Sequence, residues 1–406
     1  MNPGPRAATI ALSWRPSANN GWGLCGIHIA LALLARGRQP LFLREPLAEQ
    51  LGPDLTRRLA PVFLPARQIE AAITAAAARG DTAALAVDLI QGLGNGVQSD
   101  PKVAHVRGRR TIGFFAFEDT AFDAAAVARA RTLDFIIVHS TYNARLLRQL
   151  GIDARLAFQG VDPALFRPLP RRGRFAGRFT VFSGGKVEFR KGQDLVLAAF
   201  RAFHLRHPEA VLVTAWQSPW PGVAADMAQS ARVDGPPKLV ARRLDVTGWA
   251  VRQGLPADSV IDLGLIAHAD LPAILAECDA ALFPNRCEGA TNLVAMEAMA
   301  CGVPTILSAN TGHGDIIRDG GCWPLLHQNP VVDPTGCRTG WGESDPDEAL
   351  AYLEEIWCDP AAARHKALTG SNWLRRDRRW DRFAAMVVGL VDGATGGDIS
   401  RADKPL

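Results

Sequence analysis

The sequence predicts an α/β protein of two domains, each built on a mainly parallel sheet. Three observations carry this prediction. A length of 406 residues is enough for two separate cores. The chain opens with a strand–turn–helix–strand unit, and strands alternate with helical stripes from there on. A second such alternation starts after a stretch rich in Pro, Gly and Arg, as a domain boundary would.

In the first half, Thr9-Ile-Ala-Leu12 reads as a strand and Asn19-Asn-Gly-Trp-Gly23 as a glycine-rich turn. Ile27, Leu31 and Leu34 then form a helical stripe that ends at Gly37, and Pro40-Leu-Phe-Leu43 is the returning strand. The spacing lacks the GxGxxG pattern and its following acid, so it is no dinucleotide fingerprint. Further strands are expected at 84–90, 111–117 and 135–138, with a second glycine-rich loop at Gln91-Gly-Leu-Gly-Asn-Gly96. Open α/β sheets bind ligands at strand carboxyl ends, which makes Glu118, Asp119, Ser140 and Asn143 candidates by position. Ser140 and Asn143 also have the spacing of a helix cap.

The second half starts with Phe179-Thr-Val-Phe182 and continues with strands near 212–215, 260–263, 280–283 and 304–307. After its first strand comes Ser183-Gly-Gly-Lys-Val-Glu-Phe-Arg-Lys-Gly192. Gly184 and Gly185 allow close approach of backbone to a ligand, and Lys186, Arg190 and Lys191 supply positive charge. Such cations stabilise a leaving diphosphate more as its bond breaks than before. After the 280–283 strand comes Asn285-Arg-Cys-Glu-Gly-Ala-Thr-Asn-Leu-Val-Ala-Met-Glu-Ala-Met-Ala-Cys-Gly-Val-Pro304. Thr291 or Asn292 would cap a helix that Gly302 and Pro304 stop. Free amides at that start favour phosphate, and the carboxylates Glu288 and Glu297 accept from hydroxyls. Phosphate together with hydroxyls describes a nucleotide sugar.

This second run resembles the donor-site motif of retaining glycosyltransferases of GT-B fold, the large group 1 (family 4) type. The resemblance implies two Rossmann-like domains facing a cleft, with Glu288 on the donor sugar and Glu297 on the ribose. It implies that Lys186, Lys191, Glu288 and Glu118 serve catalysis. Gly184, Gly185, Arg190, Asn292, Leu293, Glu297, Gly21 and Gly23 would then line the donor. Three departures stand out. Eight residues separate Glu288 from Glu297 where the family has seven, and Glu118 occupies the place of a family histidine. Lys186 likewise replaces the usual arginine, keeping charge and losing the planar fork.

The implied activity is transfer of a sugar from a UDP- or GDP-sugar to a glycan or lipid-linked acceptor, with retention of configuration. No metal or other cofactor is expected, because protein cations replace it. A sugar-nucleotide epimerase of similar fold and a non-catalytic nucleotide-binding relative are the alternatives. The expected organisation is an acceptor-side domain at 1–167, a linker at 168–178, and a nucleotide-sugar domain at 179–371. A helix at 372–393 would cross back to the first domain, ahead of a disordered tail at 394–406.

Composition narrows the classes further. Hydrophobic residues make up 48% and charged residues 21%, as in ordinary globular proteins. A net charge of +4 does not point to nucleic acid. Seven cysteines without a CxxC pair fit a reducing compartment rather than a disulfide framework or zinc site. There is no signal-peptide pattern and no apolar run of the ~18–20 residues that span a bilayer. The expectation is a cytoplasmic protein, compatible with peripheral contact at the inner face of a membrane.

Overall fold

The computed structural model describes residues 9–317 and 320–393. The expected tail at 394–406 lies outside the described residues. The chain divides into two compact units. The first comprises the residues up to Gly160, Thr335–Cys337, and the chain from Trp380 onward; the second holds Val161–Pro334 and Arg338–Arg379.

The first unit has a sheet whose main path runs Leu41–Phe42, Ile10–Leu12, Asp88–Gly94, Thr111–Phe115, Ile136–Val138, Ala154–Leu156, all parallel. In chain order this is 2-1-3-4-5-6. The order reverses between Ile10–Leu12 and Asp88–Gly94, which makes their carboxyl ends a topological switch point. Gln91–Gly94, read from sequence as a loop, extends the third strand, because Gln91, Gly92 and Leu93 pair with Gly113, Phe114 and Phe115. Gln98–Ser99 then folds back antiparallel on it. Asn19–Gly23 is likewise no free turn. Asn20 caps the helix Gly21–Leu34, its side chain accepting from the Gly23 amide at 2.8 Å. A Cβ on Gly23 would sit 2.2 Å from the Ser17 carbonyl, so this glycine serves packing.

The C-terminal helix Trp380–Val391 belongs to the first unit, where Trp380 stacks on His28 at 4.6 Å. Arg38 pairs with Asp392 at 2.7 Å. The preceding helix, Pro360–Asp377, belongs to the second unit, so the return starts at Trp380 and not at 372. Its break falls at Arg378–Arg379, where Arg378 leaves helical geometry.

The second unit has a six-stranded parallel sheet in the order Val260–Asp262, Val211–Ala215, Thr180–Gly184, Ala280–Phe283, Thr305–Ser308, Trp323–Leu325. In chain order this is 3-2-1-4-5-6, the doubly wound dinucleotide-type order. Its switch point lies between Thr180–Gly184 and Ala280–Phe283. The strands read as nearly continuous apolar runs because helices cover both faces. The arginine-rich stretch expected as a linker is tied down within this unit. The Glu277 carboxylate accepts from the amides of Arg172, Gly173 and Arg174, and Arg171 pairs with Asp279 at 2.5 Å.

Candidate functional site

The two loops at the second unit's switch point carry most of the predicted residues. Strand Thr180–Gly184 ends against the next element. A Cβ on Gly184 would lie 2.7 Å from Val294, at the start of helix Leu293–Ala300. Gly185 follows with φ of 109°, a backbone state that side chains rarely adopt. The chain then makes a short 3-10 turn, Phe189–Lys191, and enters helix Gln193–Arg206 through left-handed Gly192. A Cβ there would meet the Pro284 carbonyl at 2.3 Å, so only glycine lets the two loops meet.

Contact between those loops assembles a charged cluster. Glu288 accepts from Lys191 Nζ at 2.5 Å, from Arg190 Nη1 at 3.3 Å, and from the Asn285 amide. Arg190 Nε also faces Glu188 at 2.7 Å, and Lys186 pairs with Glu188 at 2.6 Å. Burial pushes the Glu288 carboxyl up, but Lys191 and Arg190 outweigh it and hold the group at about 2. Burial holds Lys191 below the usual lysine range despite Glu288. Lys186 is the most open of the cations, with a third of its side chain exposed.

Helix Leu293–Ala300 supplies the other half. Asn292, not Thr291, is its cap. It lies in the left-handed region, at φ 59° and ψ 88°, and its side-chain oxygen faces the Ala295 amide at 3.4 Å. Its Nδ2 lies 3.1 Å from Nε2 of fully buried His313. Burial lowers His313 to about 4, which leaves that nitrogen able to accept. One helical turn on, Glu297 Oε1 accepts from His268 Nε2 at 2.6 Å. Burial opposes charge on His268, yet Glu297 and Asp162 raise its pKa above the ordinary value. The backbone of Glu288 is strapped too, its amide donating to Thr311 Oγ1 at 2.9 Å and its carbonyl accepting from Gly312 at 3.0 Å.

Sequence reasoning missed Arg286, which is buried and braces the whole loop. It makes a bidentate pair with Asp194 at 2.9 and 2.6 Å, meets Glu343 at 2.8 Å, and donates to the Phe189 carbonyl at 2.7 Å. Its neighbours come from distant positions in the chain, so no local pattern announces it. His268 was missed as a partner of Glu297 for the same reason.

The remaining candidates lie elsewhere. Glu118, Gly21 and Gly23 are in the first unit. Glu118 sits half-buried in the loop after Thr111–Phe115, where the Thr120 amide donates to Cys337 at 2.8 Å. Ser140 and Asn143 form a cap, and Asn143 is buried with both ends of its amide bonded to the Phe117 backbone. That pair serves structure and presents no free group to a ligand.

Residues 178–335 match the family model of the group 1 glycosyl transferases. Over that stretch the chain is similar to this family. The match contains Lys186, Arg190, Lys191, Glu288, Asn292 and Glu297, and stops short of every first-unit candidate. The chain is 26% identical over 247 residues to a GDP-mannose-dependent α-(1-6)-phosphatidylinositol monomannoside mannosyltransferase of Mycolicibacterium smegmatis; the aligned part covers 58% of this chain and 55% of that one. It is also 26% identical over 241 residues to a glycogen synthase of Mycobacterium tuberculosis, covering 59% and 48%. The chain thus spans about half the length of these curated relatives. A crystal structure of Anabaena HepE with UDP and glucose superposes with a TM-score of 0.64 at 15% identity, covering 95% of this chain and 99% of that one. The GT-B glycosyltransferase fold is therefore that of this chain as well. Among the described residues, no helix is long and apolar enough to cross a membrane, and no three His, Cys, Asp or Glu gather as metal ligands.

Proposed function

We propose that the chain transfers a sugar from a nucleotide-diphosphate sugar to a hydroxyl of a glycan or lipid-linked acceptor, with retention of anomeric configuration. One observation carries this reading. Lys186, Arg190 and Lys191 converge with the amide-rich start of helix Leu293–Ala300 and with Glu297 at one switch point. In this reading the cations and the Leu293 amide hold the diphosphate. Glu297 takes the ribose hydroxyls. Glu288 turns Lys191 and Arg190 toward the leaving group and meets the sugar's hydroxyls. Negative charge grows on the diphosphate as the glycosidic bond breaks, and the departing phosphate accepts the acceptor's proton. Fixed cations in a closed site then lower the barrier without reorganising. Glu118, Gly21 and Gly23 would act from the first unit, Glu118 on the acceptor hydroxyl.

The relatives differ in donor, one named for GDP-mannose and a structural neighbour holding UDP, so the base is left to experiment. The test is proton NMR of GDP-mannose and UDP-glucose incubated with the protein, first alone and then with glycoside acceptors. The expected result is release of one nucleotide diphosphate, a product of α configuration from an α donor, and unchanged turnover in EDTA. A β product would overturn retention, and loss of turnover in EDTA would overturn the metal-free clamp.

A further inference from the structure

The chain between Glu288 and the helix start at Leu293 is neither helix nor strand, and a neighbouring turn holds its shape. That turn is Thr311-Gly312-His313, which follows strand Thr305–Ser308. It touches the loop at every second residue. Thr311 Oγ1 and the Gly312 amide bond the amide and carbonyl of Glu288. Gly312 lies so close to Ala290 that a Cβ there would collide with the Ala290 carbonyl. His313 Nε2 meets Asn292 Nδ2 at 3.1 Å.

Both facing segments carry backbone strain. Asn292 has φ 59° and Thr311 φ 40°, in the left-handed region that side chains avoid. Such states persist where the surroundings over-determine them, and they gather at ligand sites. The two ends of the Asn292 amide show what holds it. Oδ1 faces the Ala295 amide at a long 3.4 Å, so the cap bond alone is weak. Nδ2 is the better-held end, and its acceptor belongs to a fully buried imidazole. That imidazole is neutral, because burial lowers it to about 4 although Glu288 opposes this. Its proton is then on Nδ1, which turns to the Ser308 backbone short of a well-formed hydrogen bond. With no exposed surface, His313 reaches a ligand only through Asn292.

We infer that His313 is a positioning residue: its bond to Asn292 holds the left-handed turn that aims the free amides at the start of helix Leu293–Ala300, and so sets nucleotide-diphosphate affinity without touching the nucleotide. The inference rests on the function proposed above, in which those amides meet the diphosphate. The experiment titrates UDP, GDP and ADP by calorimetry into the full chain, His313→Leu, His313→Gln, Asn292→Gly, and the double variant of Asn292→Gly with His313→Leu. Leucine fills the space without an acceptor, glutamine places an oxygen near Nε2, and glycine takes a positive φ with no side chain to hold it. His313→Leu should weaken the nucleotide that the wild type binds by roughly tenfold, the cost of stranding a buried donor. His313→Gln should recover most of that loss. In the Asn292→Gly background, His313→Leu should cost no more than about twofold, since no tether is left to lose. Urea unfolding of each variant separates a misplaced turn from a lost fold, and His313→Asn, polar but too short to reach Asn292, repeats the test where leucine is not accepted. Undiminished affinity in His313→Leu would overturn the inference, as would equal losses in His313→Leu and His313→Gln. A full loss in the glycine background would show that His313 acts by packing and not through Asn292. A wild type that binds none of the three nucleotides would remove the proposed function and this inference together.

Discussion

The two units obey one positional rule with opposite chemistry. Each puts its richest constellation at the point where strand order reverses. In the second unit that place is charged and buried, with Glu288 held at about 2 among Lys191 and Arg190. In the first unit it is aromatic and half-open, with Trp14 and Trp22 facing paired Arg44 and Asp100. Topology chooses where a site can be, while side chains choose what it takes. A cationic site suits a polyanion such as a nucleoside diphosphate. An aromatic wall suits the apolar face of a ring.

The comparison breaks most easily at Arg286. Replacing it with Met leaves Asp194 and Glu343 facing each other without their shared cation, and breaking such a buried pair costs ~3–5 kcal/mol. Urea unfolding should record a loss of that size in Arg286→Met. A change within a few tenths of a kcal/mol would mean that the charged loop is not braced as described. Lys191→Ala should leave stability closer to wild type and lower sugar transfer by roughly 10²–10³-fold, the usual cost of removing one donor aimed at developing charge. Lys186→Ala should lose less, because Lys186 is more open to solvent, a third of its side chain being exposed. Steady-state kinetics of the two variants ranks them.

Gly92→Ala sharpens the other side. The added Cβ presses on both indoles, so a cost of ~1 kcal/mol in urea unfolding is expected, with unaltered nucleotide binding. A loss of nucleotide affinity in this variant would erase the contrast between the units. The smallest effect expected is a pH slope. His268 is packed beside Glu297, Asp162 and the Phe166 ring, and the two carboxylates raise its pKa above 6.5. Its pairing with Glu297 is therefore fully present below 6.5 and fades as pH rises through the higher folded value. Nucleotide affinity should follow that fade in wild type and flatten in His268→Asn, as calorimetry at several pH values would record. A slope unchanged in the variant would show that His268 does not govern Glu297.

Much of the second unit was legible in the sequence. The helix Leu293–Ala300 and the strands on either side follow from short-range rules of apolar period and stop residues, which left its cap open between Thr291 and Asn292. The meeting of Lys191 with Glu288 and of His268 with Glu297 was not, because strand order and not sequence spacing brings those loops together. In the first unit local rules misplaced two segments. Asn19–Gly23 reads as a turn and is a helix start, since Asn20 caps it and Gly23 packs on Ser17. Gln91–Gly94 reads as a loop and is a strand, since pairing with Thr111–Phe115 overrides its glycines. The Trp14–Trp22 pocket carries no motif at all. Its indoles come from the strand end and the helix start, and only the sheet's reversal joins them to Asp100.

Isothermal titration of UDP, GDP and ADP into the wild type, Lys191→Ala and Glu297→Gln tests most directly whether the second unit's switch point is a nucleotide-sugar site. One nucleotide diphosphate should bind the wild type with a 1:1 stoichiometry, and both variants should weaken it by roughly tenfold or more, the worth of a charge-assisted hydrogen bond. A folded wild type that takes up none of the three, or binding that neither variant disturbs, would contradict the account.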